Sequence, residues 1–252
     1  MFNKINKFFF TKSDPTPTIK FVSVIPGLDK ITELQPKAAN KVLPQWWKDM
    51  PQVTHLGNLS IKRCPGISDI LKQGYILPMW ANVTVNLDPD GAGVDFDIGE
   101  HDIGFLPWAV HPNEQLLDYT DIHVRGRKTT HTVKIVNPWR IITPPGYSTL
   151  VLPLTYEFNP DFTLMPGIFD TDIFHGTNIP ILVHSDNQPF SIKMGDPIAM
   201  YVPFKRIKSK LEIYGTDTDE FDFIFDEDDL IENRREEGSP YRKMQKERDS
   251  NV

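Results

Sequence analysis

Two carboxylates, Asp170 and Asp172, lie between Gly167 and Gly176 in the stretch GIFDTDIFHG. Glycines at both ends permit a tight excursion, and the short spacing brings both carboxylates near one hairpin tip. Such a tip can orient a water molecule or hold a metal ion. The same residues have a plainer use, because Asp side chains accept backbone hydrogen bonds in turns and so cap them. Residue type and spacing leave both uses open.

A second set of chemistry-bearing residues is built on imidazoles. His184 and Asp186 form a His-x-Asp pair that, with a distant histidine, could begin an iron-binding facial triad. Upstream, Glu100, His101 and Asp102 precede Trp108, His111 and Glu114, with His123 and His131 following on strand-like segments. In a β-barrel, side chains from neighbouring strands converge, so His101, His111 and Glu114 are candidate metal ligands of a cupin-like enzyme. No closely spaced His-x-His pair supports that reading, and scattered surface or hydrogen-bonded histidines are the simpler account. Residues 111–115, HPNEQ, follow the apolar FLPWAV and read as an ordered loop that either lines a pocket or is stitched by its own hydrogen bonds. Arg125, Arg127 and Lys128 make a small basic tip, a solvated turn by default and an anion contact at most. Cys64 is the single cysteine, so no internal disulfide and no Cys-x-x-Cys zinc site can form, which suits a reducing, intracellular setting.

The elements that must position these groups read as β. The chain carries 22 prolines and 28 aromatic Phe, Trp and Tyr residues (16, 5 and 7) among 252. Proline blocks helix interiors and aromatics suit pleated surfaces, so short strands and loops are favoured over α/β architecture. Residues 18–28 predict a strand closed by a Pro-Gly turn. Residues 38–50 end in LPQWWKDM, where Pro44 can start a short docking helix and Trp46 and Trp47 need separate burial sites. SDILKQG predicts a short helix capped by Ser68 and stopped by Gly74, and YILPMWANVTVNL predicts one long strand. DPDGAG is a turn signal, with alternating segments on either side and further turns at Gly99 and near Gly126. NIPILV reads as a buried strand, HSDNQ as a surface turn, and residues 189–204 as a second alternating stretch bent at Gly195.

Overall charge narrows the partners. The formal net charge is -7, and Asp217, Asp219, Glu220, Asp222, Asp226, Glu227, Asp228 and Asp229 crowd near the C-terminus, where they would repel a phosphate backbone. Nucleic acid is therefore not an expected partner. Phe8-Phe9-Phe10 is too short for a signal-peptide core, and no stretch approaches the ~20 apolar residues of a membrane span, so no membrane partner is expected either. The organisation expected is an N-terminal arm over 1–17, a single β domain over 18–213, and an acidic to mixed-charge tail over 214–252.

Within residues 144–206 several linked motifs stand in a fixed order: Pro144-Pro145-Gly146-Tyr147, then GIFDTDIFHG, then a turn near Asn187, then Gly195-Asp196-Pro197-Ile198-Ala199-Met200. This series resembles the dUTPase family, in which a Pro-Pro-Gly-Tyr strand start precedes a Gly-x-Ile-Asp-Ser-Asp-Tyr-x-Gly hairpin and a Gly-Asp-Arg-Ile-Ala-Gln strand. The resemblance implies an all-β, dUTPase-like β-clip or distorted jelly roll with short peripheral helices and terminal extensions. It also implies a homotrimer with sites between subunits, a nucleotide ligand and a hydrated magnesium ion, with Asp170 positioning the attacking water. Thr155, Asp172, Phe174, His175 and Asp196 stand where that family's ligand contacts would lie. The hairpin is one residue longer than the family form, which leaves the assignment of Phe174 to the base-stacking position open.

Departures from the family pattern fall on the phosphate contacts. Leu154-Thr155 replaces an Arg-Ser pair whose guanidinium and hydroxyl grip phosphate, Pro197 replaces an arginine, and Met200 replaces an amide that hydrogen-bonds. The acidic tail has no glycine-rich arm, and its charge opposes a triphosphate. The expectation is a β-clip scaffold that has kept its shape and lost its pyrophosphatase chemistry, with no certain cofactor. The whole chain is also similar to uncharacterised proteins of marine T4-like tailed phages, through LPQWWKDM, KRCPGISDILKQGYILP and VNPWRIITPPGYS. That likeness implies the host cytoplasm or the virion as location, and virion or assembly proteins as partners. Three functions follow: a non-catalytic trimeric binding or assembly protein, a magnesium-dependent nucleoside triphosphate pyrophosphatase, and a cupin-like metal enzyme.

Overall fold

The computed structural model describes residues 16–87, 94–97, 108–124, 126–157, 159–185, 189–215, 245–247 and 250, with the backbone alone at 87, 94–97, 110, 113, 123, 124, 127 and 185. The chain is all-β. Its strands are β1 (Lys20–Ser23), β2 (Lys37–Ala38), β3 (Tyr75–Pro78), β4 (Val83–Leu87), β5 (Val94–Asp97), β6 (Trp108–His111), β7 (His123–Val124), β8 (Arg127–Ile135), β9 (Trp139–Ile142), β10 (Tyr147–Leu152), β11 (Phe162–Leu164), β12 (Gly167–Phe169), β13 (Ile179–Ser185), β14 (Phe190–Ile192) and β15 (Pro197–Lys205). Every pairing between them is antiparallel. Two sheets dominate, ordered β12-β10-β15-β3-β2 and β11-β13-β8-β6, with β7 also paired to β8. A β14-β4-β5 sheet and a β1-β9 pair complete the set.

Thr18–Lys62 and Gly66–Arg206 form one compact unit. The other comprises Met1–Pro17, Arg63–Pro65 and Ile207–Val252, in which Ile207, Leu211 and Ile213 are exposed and Lys210 pairs with Glu212 at 2.6 Å. No helix among the described residues is long and apolar enough to cross a membrane.

Alternating residues of facing strands fill the core of the larger unit. Val133 and Ile135 from β8, Ile179, Ile181 and Val183 from β13, and Ala199 and Tyr201 from β15 are buried in one cluster with Leu77, Val85 and Ile141. Tyr201 is fully buried, and its hydroxyl is reached by Asn137 Nδ2 and Thr177 Oγ1, each at 3.3 Å. Burial pushes the pKa of this phenol strongly up, so it stays protonated and hydrogen-bonded.

Several local expectations are corrected by this packing. The long strand expected over YILPMWANVTVNL is broken into β3 and β4, which belong to different sheets. Met79, Trp80 and Ala81 at the break are buried, and the turn at Gly195 is stitched to it by Gly195 N–H to Met79 O and Met79 N–H to Asp196 O, both at 2.7 Å. The strand expected over 18–28 ends at Ser23, because the Ser23 hydroxyl bonds the backbone of Ile25 and Gly27 turns the chain with φ 81°. Ser68 does not cap a helix. It lies buried inside α2 (Pro65–Ile70), whose start is set by Pro65 with its φ already helical. The preceding short helix, α1 (Gln45–Asp49), does begin after Pro44, burying Trp47 and leaving Trp46 partly exposed. The DPDGAG turn and Gly99 lie outside the described residues, whereas Gly126 turns β7 into β8 with φ 79°.

Gly74 has φ 65°, and a Cβ there would overlap the carbonyl oxygen of Tyr201, which is backbone and cannot swing aside. Gly27 has a similar φ and open space around it. Gly74→Ala is expected to destabilise by roughly 3 kcal/mol or more through clash plus strain, and Gly27→Ala by about 1 kcal/mol through strain alone. Urea-unfolding midpoints of the two variants check this; equal losses would show that the close approach at Gly74 does not matter.

Candidate functional site

The turn that follows β12 carries the paired carboxylates, and the ends of two other strands meet it. β10 starts at Tyr147 after the Pro144–Gly146 turn, and it pairs with β15 so that Tyr147 faces Lys205. β12 adds to the other side of β10. This register sets Arg206, the residue after β15, beside Gly146, Ser148 and the β12 turn. Arg206 N–H bonds Gly146 O at 2.8 Å.

Arg206 then closes on both carboxylates. Its Nη1 and Nη2 reach the two oxygens of Asp172 at 2.9 and 2.5 Å, a two-pronged contact, and Nη1 also reaches Asp170 Oδ1 at 3.1 Å. Gly146 N–H donates to Asp172 Oδ2 at 2.8 Å, and the Ser148 hydroxyl donates to Asp170 Oδ1 at 2.6 Å. The Asp172 side chain is only 7% exposed, whereas Asp170 is 51% and Arg206 38% exposed. The Arg206 hydrogen bond, aided by the Gly146 N–H, lowers the Asp172 carboxyl to about 2, and the Asp172 carboxylate in turn raises Arg206. Beneath the turn, Thr171 is buried and shares hydroxyl contacts with Thr143 at 2.9 Å and Thr149 at 2.8 Å.

This arrangement gives Asp172 a structural part: an ion-paired, backbone-bonded turn residue. Asp170 differs, since its Oδ1 accepts from Ser148 and Arg206 while Oδ2 carries no partner among the described residues. One exposed carboxylate oxygen can still orient a water. It offers a poor divalent site, because an arginine charge already sits on the same group.

The other candidate residues divide into two places. Phe174 and His175 share the β12 turn. Phe174 is 61% exposed, with Ile173 and Ile168 beside it at 76% and 64%. His175 Nδ1 lies 3.1 Å from Ile141 O and 3.0 Å from Thr171 O, so it donates to carbonyls and fastens the turn to β9. Thr155 and Asp196 lie at the opposite end of the β10–β15 ladder. Thr155 Oγ1 donates to Met200 Sδ at 3.6 Å, and Asp196 Oδ2 accepts from Lys193 N–H at 2.8 Å within the Gly195 turn. β15 runs from Pro197 to Lys205, so roughly 25 Å of strand separates this end from Arg206. A single chain therefore does not bring Thr155 and Asp196 to the Asp170 site.

The imidazole groups also fall apart. His101 and Asp186 lie outside the described residues. His111 Nδ1 is 2.6 Å from Gln115 Oε1, which closes the HPNEQ loop on itself, and Glu114 is exposed. No group of three or more His, Cys, Asp or Glu side chains able to hold a metal occurs among the described residues. The reading of HSDNQ as a surface turn is corrected at His184, which is buried within β13, its two ring nitrogens facing the hydroxyls of Thr129 at 2.9 Å and Thr163 at 2.7 Å. Lys128 lies 3.8 Å from Asp121, an exposed pair at the basic tip.

Two members of the site carried no signal of their own in the sequence. Ser148 and Arg206 follow the PPGY and IAMYVPF stretches, and only the antiparallel register of β10 with β15 makes them neighbours of Asp170.

Among solved structures, the chain is similar to a mutant dUTPase from phage phi11 of S. aureus, in a structure concerned with the coordination of a structural Mg(II) ion. The match has 13% identity and a TM-score of 0.30, covering 74% of this chain and 98% of that one. No protein family and no curated protein matches the chain.

With its carboxyl held at about 2 rather than 3.8, Asp172 contributes stability that is present above pH ~4 and is lost as pH falls through ~2. Asp172→Asn removes that term. The variant is expected to be less stable than wild type at pH 6 and to lose less on acidification from pH 5 to pH 2, read as urea midpoints across that range. Parallel pH profiles for the two proteins would contradict an ionised Asp172 clamped by Arg206.

Proposed function

We propose that this chain is a β-clip-type binding or assembly protein that works as a homotrimer and does not turn over nucleotides. The observation that carries this reading is the Arg206 clamp: the guanidinium that could have met a phosphate is spent on Asp172 and Asp170 instead. The positions that would hold phosphate at the other end of the ladder, Leu154, Thr155, Pro197 and Met200, supply one hydroxyl, and it faces a thioether. Self-association is supported by Ile168, Ile173 and Phe174, which cluster on one turn and its edge strand with their apolar surface in solvent. It is supported again by the separation of Asp170 from Thr155 and Asp196, since a ligand touching both ends would have to lie between copies. The motif likeness to phage proteins supports an infected cell or a virion as the setting of this activity, with particle or assembly proteins as partners.

A second reading keeps a pyrophosphatase role for Asp170. Its half-exposed carboxyl, with an Oδ2 that has no partner among the described residues, favours a water-orienting part, and a rebuilt phosphate grip would have to come from a neighbouring copy.

Incubation with each deoxynucleoside triphosphate and magnesium is expected to give no turnover by wild type above the Asp170→Asn background; turnover that Asp170→Asn abolishes would establish the second reading instead. Sedimentation equilibrium is expected to give three times the chain mass, with Phe174→Asp weakening association at least about tenfold. A wild type that stays monomeric at micromolar concentration would end the trimer proposal.

A further inference from the structure

A cleft of about 520 Å³ lies at the Thr155 end of the ladder, away from the Arg206 clamp. Its walls are mostly apolar and include Leu152, Leu154, Tyr156, Phe162, Pro197 and Ile198. The volume falls within the range that holds a small organic ligand. Three independent features of this cleft ask for an explanation.

Glu157 lines the cleft and a narrow hollow next to it that Leu154, Thr155 and Pro197 also border. Among the described residues its carboxyl has no hydrogen-bond or ion-pair partner. The residue as a whole is exposed, yet the cleft wall desolvates the carboxyl and raises it above its ordinary range. An acid placed against apolar walls without a cation costs free energy, and the described residues supply no counter-ion.

Two aromatic rings, Tyr156 and Phe162, line the same cleft, and further rings back them. Tyr156 meets Trp46 edge to face at 6.4 Å, and Trp46 meets Trp47 in the same manner at 5.7 Å. Phe162 lines the cleft and stacks on Phe190 at 5.8 Å. Tyr156 is also the only non-glycine residue with a positive φ, 63°, among those described. A tyrosine gains nothing from that backbone state, and the strain persists because the surrounding loop fixes it.

We propose that this cleft binds an organic ammonium, a positively charged nitrogen carrying apolar substituents, with Glu157 as its counter-ion and the rings of Tyr156 and Phe162 in the wall around it. Aromatic faces attract such cations through their quadrupole, and the apolar wall takes the alkyl groups that an inorganic cation lacks. A phosphate ligand is disfavoured here, because the cleft presents a carboxylate and no basic side chain. This inference stands apart from the trimer proposal, since every residue it uses comes from one chain.

The test is a titration with choline and with its neutral carbon isostere 3,3-dimethyl-1-butanol, followed by amide NMR shifts of the full chain. Saturable shifts around residues 152–164 are expected with the cation, and binding at least about tenfold weaker with the neutral compound. Glu157→Gln is expected to remove most of that preference while leaving the weak binding of the alcohol unchanged. Tyr156→Gly relieves the backbone, so it should fold with equal or greater stability and still lose affinity for the cation. Equal affinity for the two compounds, no saturable shift, or an undiminished preference in Glu157→Gln would each overturn the proposal.

Discussion

One arginine fork holds three separate pieces of chain in register. Arg206 takes the end of β15, the Pro144–Gly146 turn before β10 and the Asp170–Asp172 turn after β12, and joins them through its backbone N–H and guanidinium. The planar fork matches the two oxygens of Asp172, which lysine could not do. Because Asp172 is nearly buried, its carboxylate without Arg206 would keep only the Gly146 N–H as partner against its desolvation. The β12-β10-β15 ladder thus has a polar lock at one end, and the shape of the Asp170 turn depends on it.

That lock also decides the chemistry available. Asp170 is set close to a positive charge and a serine hydroxyl, with one oxygen left over, whereas a metal site would ask for several converging acceptors. The opposite end of the ladder has the reverse character. There the polar groups are few, the walls are mostly apolar, and Glu157 has no cation near it among the described residues. Charge pairing and unpaired charge are separated by the length of β15, so the two ends of the same strand present different chemistry to solvent.

Between these ends, polar side chains in the core work as fasteners. Asn137 accepts Trp139 N–H at 2.9 Å while donating to Thr177 and Tyr201, and His184 is held by two threonine hydroxyls from β8 and β11. Such satisfied groups fix which strands pair, since any register slip would leave them without partners in a dry interior. His184 shows how a residue type associated with metal ligation is absorbed by packing.

The sequence by itself determined the class of the fold and many of its turns. Proline density, the alternation over β8 and β15, the apolar run of β13, the glycine at 126 and the Pro44 helix start are local signals, and dihedral preference and period-two burial act locally. It likewise brought Asp170 and Asp172 to one turn, because two residues of spacing cannot separate them. Tertiary structure alone decided the rest. It split residues 75–87 between two sheets, drew Ser68 and His184 inside, delivered Arg206 and Ser148 to the carboxylates, and kept Thr155 and Asp196 roughly a strand length away. Those outcomes depend on which distant strands pair and in what register, and pairing is settled by burial summed over the whole core rather than by any residue's neighbours in the chain.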